Sequence, residues 1–245
     1  IDQLVGEDWY YRLPRTRSVA ERRAAMIEMA RGRRVAHLGH VDQGCPGKQD
    51  SDDAWLHERL CEVAAEVVGF DVAGDAVEAL SLRGYPGYTV DCTDPDAVRA
   101  LNAGTYDLVL LGEIIEHVDN PVGLLRAAKI LCAEQGRIVI TTPNALSLGV
   151  SVAAARRREC VHPDHLMMFS PRTLVATALR AGLEPDRILT YRKETADVYK
   201  DKPGISSYTL RDWAVAASSV TADLIARPFA YLQPGLILVC KSGPN

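Results

Sequence analysis

Short apolar runs alternate along the chain with longer stretches that carry apolar residues at helical spacing. This alternation is typical of β-α units wound into a parallel sheet with helices on both faces. The pattern predicts seven strands, which lie at 34–38, 66–71, 88–91, 106–111, 136–142, 188–193 and 236–240. It predicts helices at 19–30, 54–65, 76–83, 121–131 and 170–181. We therefore expect an α/β fold built on a seven-stranded, mostly parallel sheet.

Composition narrows the class of partner. The 245 residues are 47% hydrophobic and carry a formal charge of −4, whereas a protein that grips nucleic-acid phosphates needs clustered Lys and Arg. No apolar run reaches the roughly 18 residues of a membrane span, and the start lacks the order of a signal peptide. The six cysteines are scattered, without the spacing of a zinc site. We expect a cytoplasmic protein with a small-molecule or peptide substrate, no nucleic-acid or membrane partner and no metal site.

The residues that end the predicted strands are the candidates for ligand binding, because an open parallel sheet binds ligands outside its carboxyl ends. Gly39 and His40 follow the first strand, where a glycine lets the backbone pass close to a ligand. Asp71 ends the second strand, so that its carboxylate could accept both hydroxyls of a ribose or cap a helix. Asp91 and Cys92 follow the third strand, where they could meet an adenine or form a surface turn.

Three segments together resemble a known family. The segments are 106–118 followed by Asn120-Pro121, then 136–144, and then 162–171. They are similar to the fourth strand, the fifth strand and the following segment of class I S-adenosylmethionine-dependent methyltransferases, in the branch that includes the ubiquinone-pathway and type 11 or type 23 enzymes. The resemblance covers roughly residues 34–183. It implies a Rossmann-like fold, S-adenosylmethionine as the cofactor and S-adenosylhomocysteine as its product.

The resemblance also implies a role for each strand end. The residues implied to bind the cofactor are Gly39 and His40 at its methionine part, Asp71 at the ribose, Asp91 and Cys92 at the adenine, Leu111 through its carbonyl, Gly112 with Glu113 at the substrate-facing side, and Val72 without a stated part. One position departs from the family pattern. His37 stands where the family usually has an acid that helps to hold the methionine amine.

On this interpretation the whole chain, 1–245, is a single methyltransferase domain. Residues 1–33 would form a helical extension, 34–144 the cofactor-binding half, and 145–245 the substrate-side half with a helical insertion at about 209–226. The segment 146–160 and the insertion would cover the substrate, with Tyr208, Trp213 and Phe229 as candidate walls. The N-terminal helix, expected on the outside, could pair two copies in a homodimer.

The expected chemistry is O- or N-methylation by in-line transfer. A sulfonium methyl group is already electrophilic, so the protein must mainly hold the nucleophile in line and exclude water. A base is needed only if the nucleophile arrives protonated. His162 and His165 are the candidate bases because they follow the fifth strand and histidine titrates near neutral pH. A structural role is the alternative for both, and it is the favoured role for His117.

Two other classes of function stay open. A nicotinamide-dependent oxidoreductase would also place an acid after the second strand, but the glycine spacing here is not Gly-x-Gly-x-x-Gly. A methyltransferase-like scaffold without turnover is the second alternative, and His37 is the residue that keeps it open. The run Arg156–Arg158 lies in the expected cover, where the interpretation as a solvated helix end is favoured and an anionic substrate is the alternative.

Overall fold

Eight strands form one sheet in the computed structural model, which describes residues 12–19, 21–41, 55–192, 221, 225–226 and 228–243. The strands are β1 (Ser18–Val19), β2 (Arg34–Leu38), β3 (Glu66–Asp71), β4 (Gly87–Thr89), β5 (Tyr106–Gly112), β6 (Cys132–Pro143), β7 (Glu184–Tyr191) and β8 (Gly235–Lys241). Their order across the sheet is β1-β7-β8-β6-β5-β2-β3-β4. Only β8 runs antiparallel to its neighbours among these described strands. The predicted fold class is confirmed.

The predicted strand count is one too low because β1 lies where the N-terminal helix was expected to begin. Ser18 and Val19 pair in parallel with Thr190 and Tyr191. The hydroxyls of Ser18 and Thr190 are 2.8 Å apart and hydrogen-bond across this edge. A two-residue strand has no room for a hydrophobic period, so the pattern could not show it. The helix itself, α1 (Arg22–Ala30), begins three residues later than predicted, after the N-cap Glu21.

Helices cover both faces of the sheet, as predicted. On one face, α1 and α2 (Leu56–Cys61) pack on a buried cluster that includes Met26 and Leu60. On the other face, α4 (Pro95–Ala100), α5 (Pro121–Leu131) and α7 (Pro171–Arg180) pack on a larger cluster that includes Leu124 and Leu174. The helix α3 (Gly74–Leu82) lies against β3 and β4. The sheet is therefore a buried layer whose ends, rather than its faces, are left for ligands.

Several boundaries differ from the prediction. The helix predicted at 54–65 is shorter, since α2 ends at Cys61, and β4 ends at Thr89, which leaves Asp91 in the following turn. The segment 146–160 contains one short helix, α6 (Leu148–Ala155). The predicted insertion at 209–226 lies outside the described residues, except for helical positions at 221 and 225–226. The single-domain organisation and the homodimer stay predictions.

The order of the strands locates the open edge of the sheet. From β2 the chain proceeds outwards to β3 and β4, and then it crosses back to β5 on the other side of β2. The loops that leave β2 and β5 therefore diverge at the carboxyl ends of these strands, and at such a reversal of strand order α/β sheets have the crevice in which they bind ligands. Among the described residues, we find no helix with the length and apolar character needed to span a bilayer.

Candidate functional site

Asp71 joins the ends of β2 and β3 at this crevice. One carboxylate oxygen accepts a hydrogen bond from the Val41 backbone N–H at 3.0 Å, and the other accepts from Ala73 N–H at 3.1 Å. The alternative role as a helix N-cap is not observed, since Ala73 occupies that position before α3. Asp71 is therefore held rigidly beside the loop that follows β2, as the prediction requires.

Gly39 begins that loop in a conformation that favours glycine. Its φ is +72°, and a Cβ atom built on it would lie 2.7 Å from Cδ1 of Ile114. A larger residue would therefore be strained and would also push away the segment that follows β5. The packing against Ile114 is therefore one reason for a glycine here, and the close approach of this backbone to a ligand stays a prediction.

The other cofactor-binding residues predicted near Asp71, namely Val72, Asp91 and Cys92, lie in different environments. Val72 leaves 63% of its surface exposed, which makes it an apolar side chain available to a flat ring. Cys92 is buried, and burial raises the pKa of its thiol to about 12. Asp91 accepts hydrogen bonds from the backbone N–H of Thr93 at 2.8 Å and from its hydroxyl at 2.7 Å. Asp91 thus forms the surface turn that was the alternative, and its adenine contact stays a prediction.

The end of β5 places Glu113 in a different environment from the one expected. Leu111 is fully buried between β2 and β6, and its contact with a cofactor through the carbonyl stays a prediction. Glu113 has a φ of +55°. Its carboxylate accepts a hydrogen bond from the Tyr191 hydroxyl and forms an ion pair with Arg22 at 3.4 Å. Burial and the charge of Glu113 hold the pKa of Tyr191 well above its usual value, so the phenol stays a donor.

Arg22 is a residue of this edge that the sequence did not identify. The helix α1 was expected on the outside, but Met26 is fully buried against the sheet and Arg22 also donates to the Thr141 hydroxyl at 3.3 Å. A Cβ atom on Gly112 would lie 3.3 Å from Cε of Met26 and 3.4 Å from Nη1 of Arg22. Gly112 therefore allows α1 to approach the end of β5. The sequence carried no signal for this contact, because an Arg/Glu-rich helix is also typical of an exposed surface.

The histidines near β2 are buried rather than exposed to a ligand. His37 is 4% exposed, and its Nδ1 lies 3.2 Å from Nδ1 of His57 in α2. His40 is completely buried, and a Cβ atom on Gly69 would lie 2.3 Å from its ring. The side chain of His40 thus fills the space beneath β3, which limits its predicted cofactor contact to the backbone.

A second cluster of histidines surrounds Glu116. The ring centre of His165 lies 4.6 Å from that of His117 and 5.3 Å from that of His162. The backbone N–H of Leu166 donates to the Glu116 carbonyl at 2.8 Å, which fixes the His162–His165 segment over the loop that follows β5. The two predicted bases are therefore brought together at the open edge.

Glu116 itself was not among the predicted site residues. It is completely buried, and neither carboxylate oxygen has a hydrogen-bond partner of normal geometry among the described residues. Burial, with the negative charge of Glu113 as a further cause, raises the pKa of Glu116 to about 7. The available signal was the spacing of Glu113 and Glu116, three residues apart, in the motif that resembles the family.

The same cluster also offers ligands for a metal ion. Glu116, His117 and His165 each have one ligand atom within 4.8 Å of the others. A carboxylate with two imidazoles suits a divalent cation. The predicted absence of a metal site is not tested by this arrangement and stays a prediction.

The expected cover is only partly described. No side chain of the helix α6 is buried, although most of them are apolar. The three arginines that follow the helix, Arg156–Arg158, are exposed. Phe229 is 56% exposed, while Tyr208 and Trp213 lie outside the described residues. Beneath the cover, Asn144 is fully buried and donates to the carbonyls of Tyr231 and Gln233 at 2.8 and 2.9 Å. This anchor ties the end of β6 to the turn before β8.

The strand order and the acid at the end of β3 define the fold of a class I methyltransferase. A family model described as a methyltransferase domain matches residues 51–188, which is more than half of the chain. The chain therefore belongs to this methyltransferase-domain family, in the type 23 branch of S-adenosylmethionine-dependent proteins. The resemblance inferred from the sequence is confirmed.

Curated relatives and solved structures agree with this assignment. The ubiquinone biosynthesis O-methyltransferase of Ralstonia nicotianae is 29% identical over 157 residues, which cover 60% of this chain and 63% of that protein. The chain thus spans somewhat less than two thirds of the length of this relative. The fold is shared with a SAM dependent methyltransferase from Archaeoglobus fulgidus (TM-score 0.53, 17% identity, 90% of this chain and 94% of that chain). It is also shared with the magnesium protoporphyrin IX methyltransferase of Synechocystis PCC 6803 with bound SAH (TM-score 0.51, 13% identity, 89% and 80%).

Proposed function

We propose that the protein transfers a methyl group from S-adenosylmethionine to a hydroxyl group of a small molecule and releases S-adenosylhomocysteine. The observation that carries the proposal is Asp71, which lies at the open edge of the sheet with both oxygens oriented by backbone N–H groups. The curated relatives are named as O-methyltransferases, which supports a hydroxyl over an amine as the acceptor. Asp71 would also suit the ribose of a nicotinamide cofactor, and the match to a methyltransferase family is what favours S-adenosylmethionine over the oxidoreductase alternative.

The described residues fit the parts of the cofactor. Asp71 would accept the two ribose hydroxyls, and exposed Val72 would pack against the adenine. The methionine part ends in an ammonium and a carboxylate. The ion pair of Glu113 and Arg22 offers one group of each charge at the neighbouring strand end. Arg22 thus supplies a fixed cation next to His37. Position 37 is the one at which the family usually has an acid.

His165 is the group best placed to take the proton of the acceptor hydroxyl. Its ring packs against those of both His117 and His162 at the edge where β5 ends, next to the buried carboxylate of Glu116. A hydroxyl must lose its proton as the methyl group arrives, and a positioned base typically contributes a factor of about 10² to 10⁴. Orientation of the acceptor behind the methyl group would supply the larger share, roughly 7–11 kcal/mol.

Calorimetric titration with S-adenosylhomocysteine, S-adenosylmethionine and NADH tests the cofactor. We expect both adenosyl compounds to bind and NADH not to bind. Binding of NADH alone would contradict the proposal. A screen of phenolic and aliphatic hydroxyl compounds, read out as S-adenosylhomocysteine formation, then tests turnover. Cofactor binding without turnover on any acceptor would support the scaffold alternative instead.

The three arginines after α6 are proposed to attract an anionic acceptor. We expect the triple variant Arg156→Ser/Arg157→Ser/Arg158→Ser to raise KM for an anionic acceptor about tenfold or more, since exposed ion pairs contribute up to about 1 kcal/mol each. The variant should leave KM for S-adenosylmethionine unchanged. Arg83→Ser, in an exposed position after α3, is the control for lost positive charge. An unchanged KM for the acceptor would remove this part of the proposal.

A further inference from the structure

Three buried histidines form a cluster behind the edge of the sheet at which Asp71 lies, called the cofactor edge below. The histidine cluster consists of His37 in β2, His40 in the following loop and His57 in α2. The rings of His37 and His57 are stacked with their centres 5.4 Å apart, and the rings of His40 and His57 are 4.9 Å apart. His37 is 4% exposed, and the other two are completely buried. None of these side chains takes part in the function proposed above.

The geometry of the cluster suits uncharged rings. The Nδ1 atoms of His37 and His57 face each other at 3.2 Å, so one must donate a proton and the other must accept it. If both rings were charged, two donors would face each other. Both ring nitrogens of His40, and Nε2 of His57, are buried without a hydrogen-bond partner of normal geometry in the described part of the chain. A proton added there would be a buried charge, which is costly without a partner.

The charged groups around the cluster do not compensate an added proton. Arg22 of α1 adds positive charge next to His37 and lowers its pKa further, after burial as the main cause. Burial lowers the pKa of His40, and this effect outweighs the opposite effects of the Asp71 carboxylate and of a hydrogen bond to the Phe70 carbonyl. Glu58 of α2 is exposed and accepts a hydrogen bond from the Tyr85 hydroxyl at 2.8 Å. Burial lowers the pKa of His57 to about 3, and the neighbouring His40 lowers it too.

The cluster is mechanically connected to the cofactor edge. The indole N–H of Trp55, at the start of α2, donates to the His40 carbonyl at 2.7 Å. The ring of His40 is wedged beneath β3 and β4, where Cβ atoms on Gly69 and Gly87 would lie 2.3 and 3.1 Å from it. The next residue, Val41, donates to Asp71. Any separation of the rings would therefore move the loop that positions the ribose-binding carboxylate.

We propose that the histidine cluster is a pH-dependent latch on the cofactor site: uncharged rings hold the loop 39–41 against Asp71, and proton uptake releases it. The inference rests on the proposed function in taking S-adenosylmethionine and S-adenosylhomocysteine as the ligands of this edge. Acidification therefore weakens cofactor binding even though no ring of the cluster is assigned to touch the cofactor.

The direction of the pKa shifts of the three histidines determines that acid weakens cofactor binding. The closed form lowers the pKa of all three histidines from a value near 6.5, so the open form binds more protons below that pH. The stabilisation of the closed form is fully present above about pH 6.5 and is lost as the pH falls through the lowered values. Once the open form predominates in the free protein, the dissociation constant rises by up to about tenfold per pH unit for each histidine that charges only in the open form.

The test compares the affinity for S-adenosylhomocysteine between about pH 7.5 and pH 5.5 by calorimetry. For the natural chain we expect the dissociation constant to rise about tenfold or more across this interval. His57→Asn retains an amide near the Nδ1 position but cannot take up a proton, so its rise should be about tenfold smaller. Arg59→Gln, an exposed position on the same helix, is the matched control and should keep the full rise.

Fluorescence of Trp55 gives a second readout that needs no change in the cluster. Trp55 packs on the His57 ring with the ring centres 4.9 Å apart, so emission from a Trp9→Phe/Trp213→Phe background reports the state of the latch. We expect a change in Trp55 emission on acidification that follows the loss of affinity and is suppressed by bound S-adenosylhomocysteine.

The outcomes separate the latch from the proposed function. Tight binding that does not change with pH, or an equal rise in the natural chain and in His57→Asn, would overturn the latch and leave the methyltransferase proposal intact. Absence of S-adenosylhomocysteine binding even at about pH 8, where the rings are uncharged, would overturn the proposed function itself. If His57→Asn does not fold, Trp55 emission that is unchanged across the interval still overturns the latch.

Discussion

Asp71→Asn is expected to raise the dissociation constant for S-adenosylhomocysteine about 100-fold or more. A carboxylate at this position can accept both ribose hydroxyls, and hydrogen bonds to a charged group contribute about 1.5–3 kcal/mol each. An amide of the same size offers one acceptor oxygen and turns a donor toward the other hydroxyl. Calorimetric titration at neutral pH measures the change directly.

The control for this variant must separate binding from folding, because Asp71 also accepts from the backbone of Val41 and Ala73. Loss of one such bond to a charged group costs about 1.5–3 kcal/mol, which lowers the melting temperature of a chain of this size by roughly 3–12 °C. Asp75→Asn removes an exposed acid in the first turn of α3 and should change neither quantity by much. A folded Asp71→Asn protein with unchanged affinity would contradict the placement of the cofactor.

The parts of the fold that the sequence predicted are those that depend on local patterns. The helix α5 has the predicted bounds, Pro121–Leu131, since a proline at its first position and an asparagine cap define its start. The start of α7 lies within one residue of the predicted bound, because its cap Ser170 and the following proline are adjacent in sequence. The position of Asp71 followed from the end of a continuous apolar run. These signals are local, so one sequence is sufficient to find them.

The parts that were missed depend on contacts between distant residues. Arg22 reaches Glu113 across 91 positions of sequence, and nothing near Arg22 indicates which face of α1 is buried. Glu116 lies beside a histidine in sequence, but its burial depends on the segment that returns over it after β6. His57 likewise contacts His37 only after α2 has packed on the sheet. Spacing along the chain cannot specify such pairs.

The contacts of His57 and Arg22 also bear on why His37 stands where the family usually has an acid. A carboxylate at position 37 would lie among His57 and Arg22 in the interior, whereas the neutral ring shares a hydrogen bond with His57. The negative charge at this edge is instead provided by Glu113, paired with Arg22 and Tyr191. With the cofactor placed as proposed, the site retains one acid near the methionine part, although on the neighbouring strand. This argues that the departure from the family pattern is a rearrangement and not a loss of the site.

His165→Gln and Glu116→Gln are each expected to lower kcat by a factor of about 10² to 10⁴ with a hydroxyl acceptor, since this is the usual contribution of a positioned base. The affinity for S-adenosylhomocysteine should stay unchanged, because neither residue lies at Asp71 or at the Arg22–Glu113 pair. Glu116→Gln replaces a buried carboxyl group by a neutral amide of similar size, so we expect the melting temperature to stay unchanged. A fall in the melting temperature would instead indicate a structural role for Glu116.

The effects of the two substitutions on kcat should also be non-additive. If His165 takes the proton and Glu116 acts through it, the double variant should be little slower than His165→Gln alone, as expected for residues that act as a unit. His162→Gln is the comparison within the same segment. The side chain of His162 is 59% exposed, and its Nδ1 lies 3.7 Å from Oδ2 of Asp164. Because this side chain points largely to solvent, we expect a much smaller loss of kcat. A larger loss in His162→Gln than in His165→Gln would move the role of base to His162. Full turnover in the double variant would show that the acceptor reacts without a protein base.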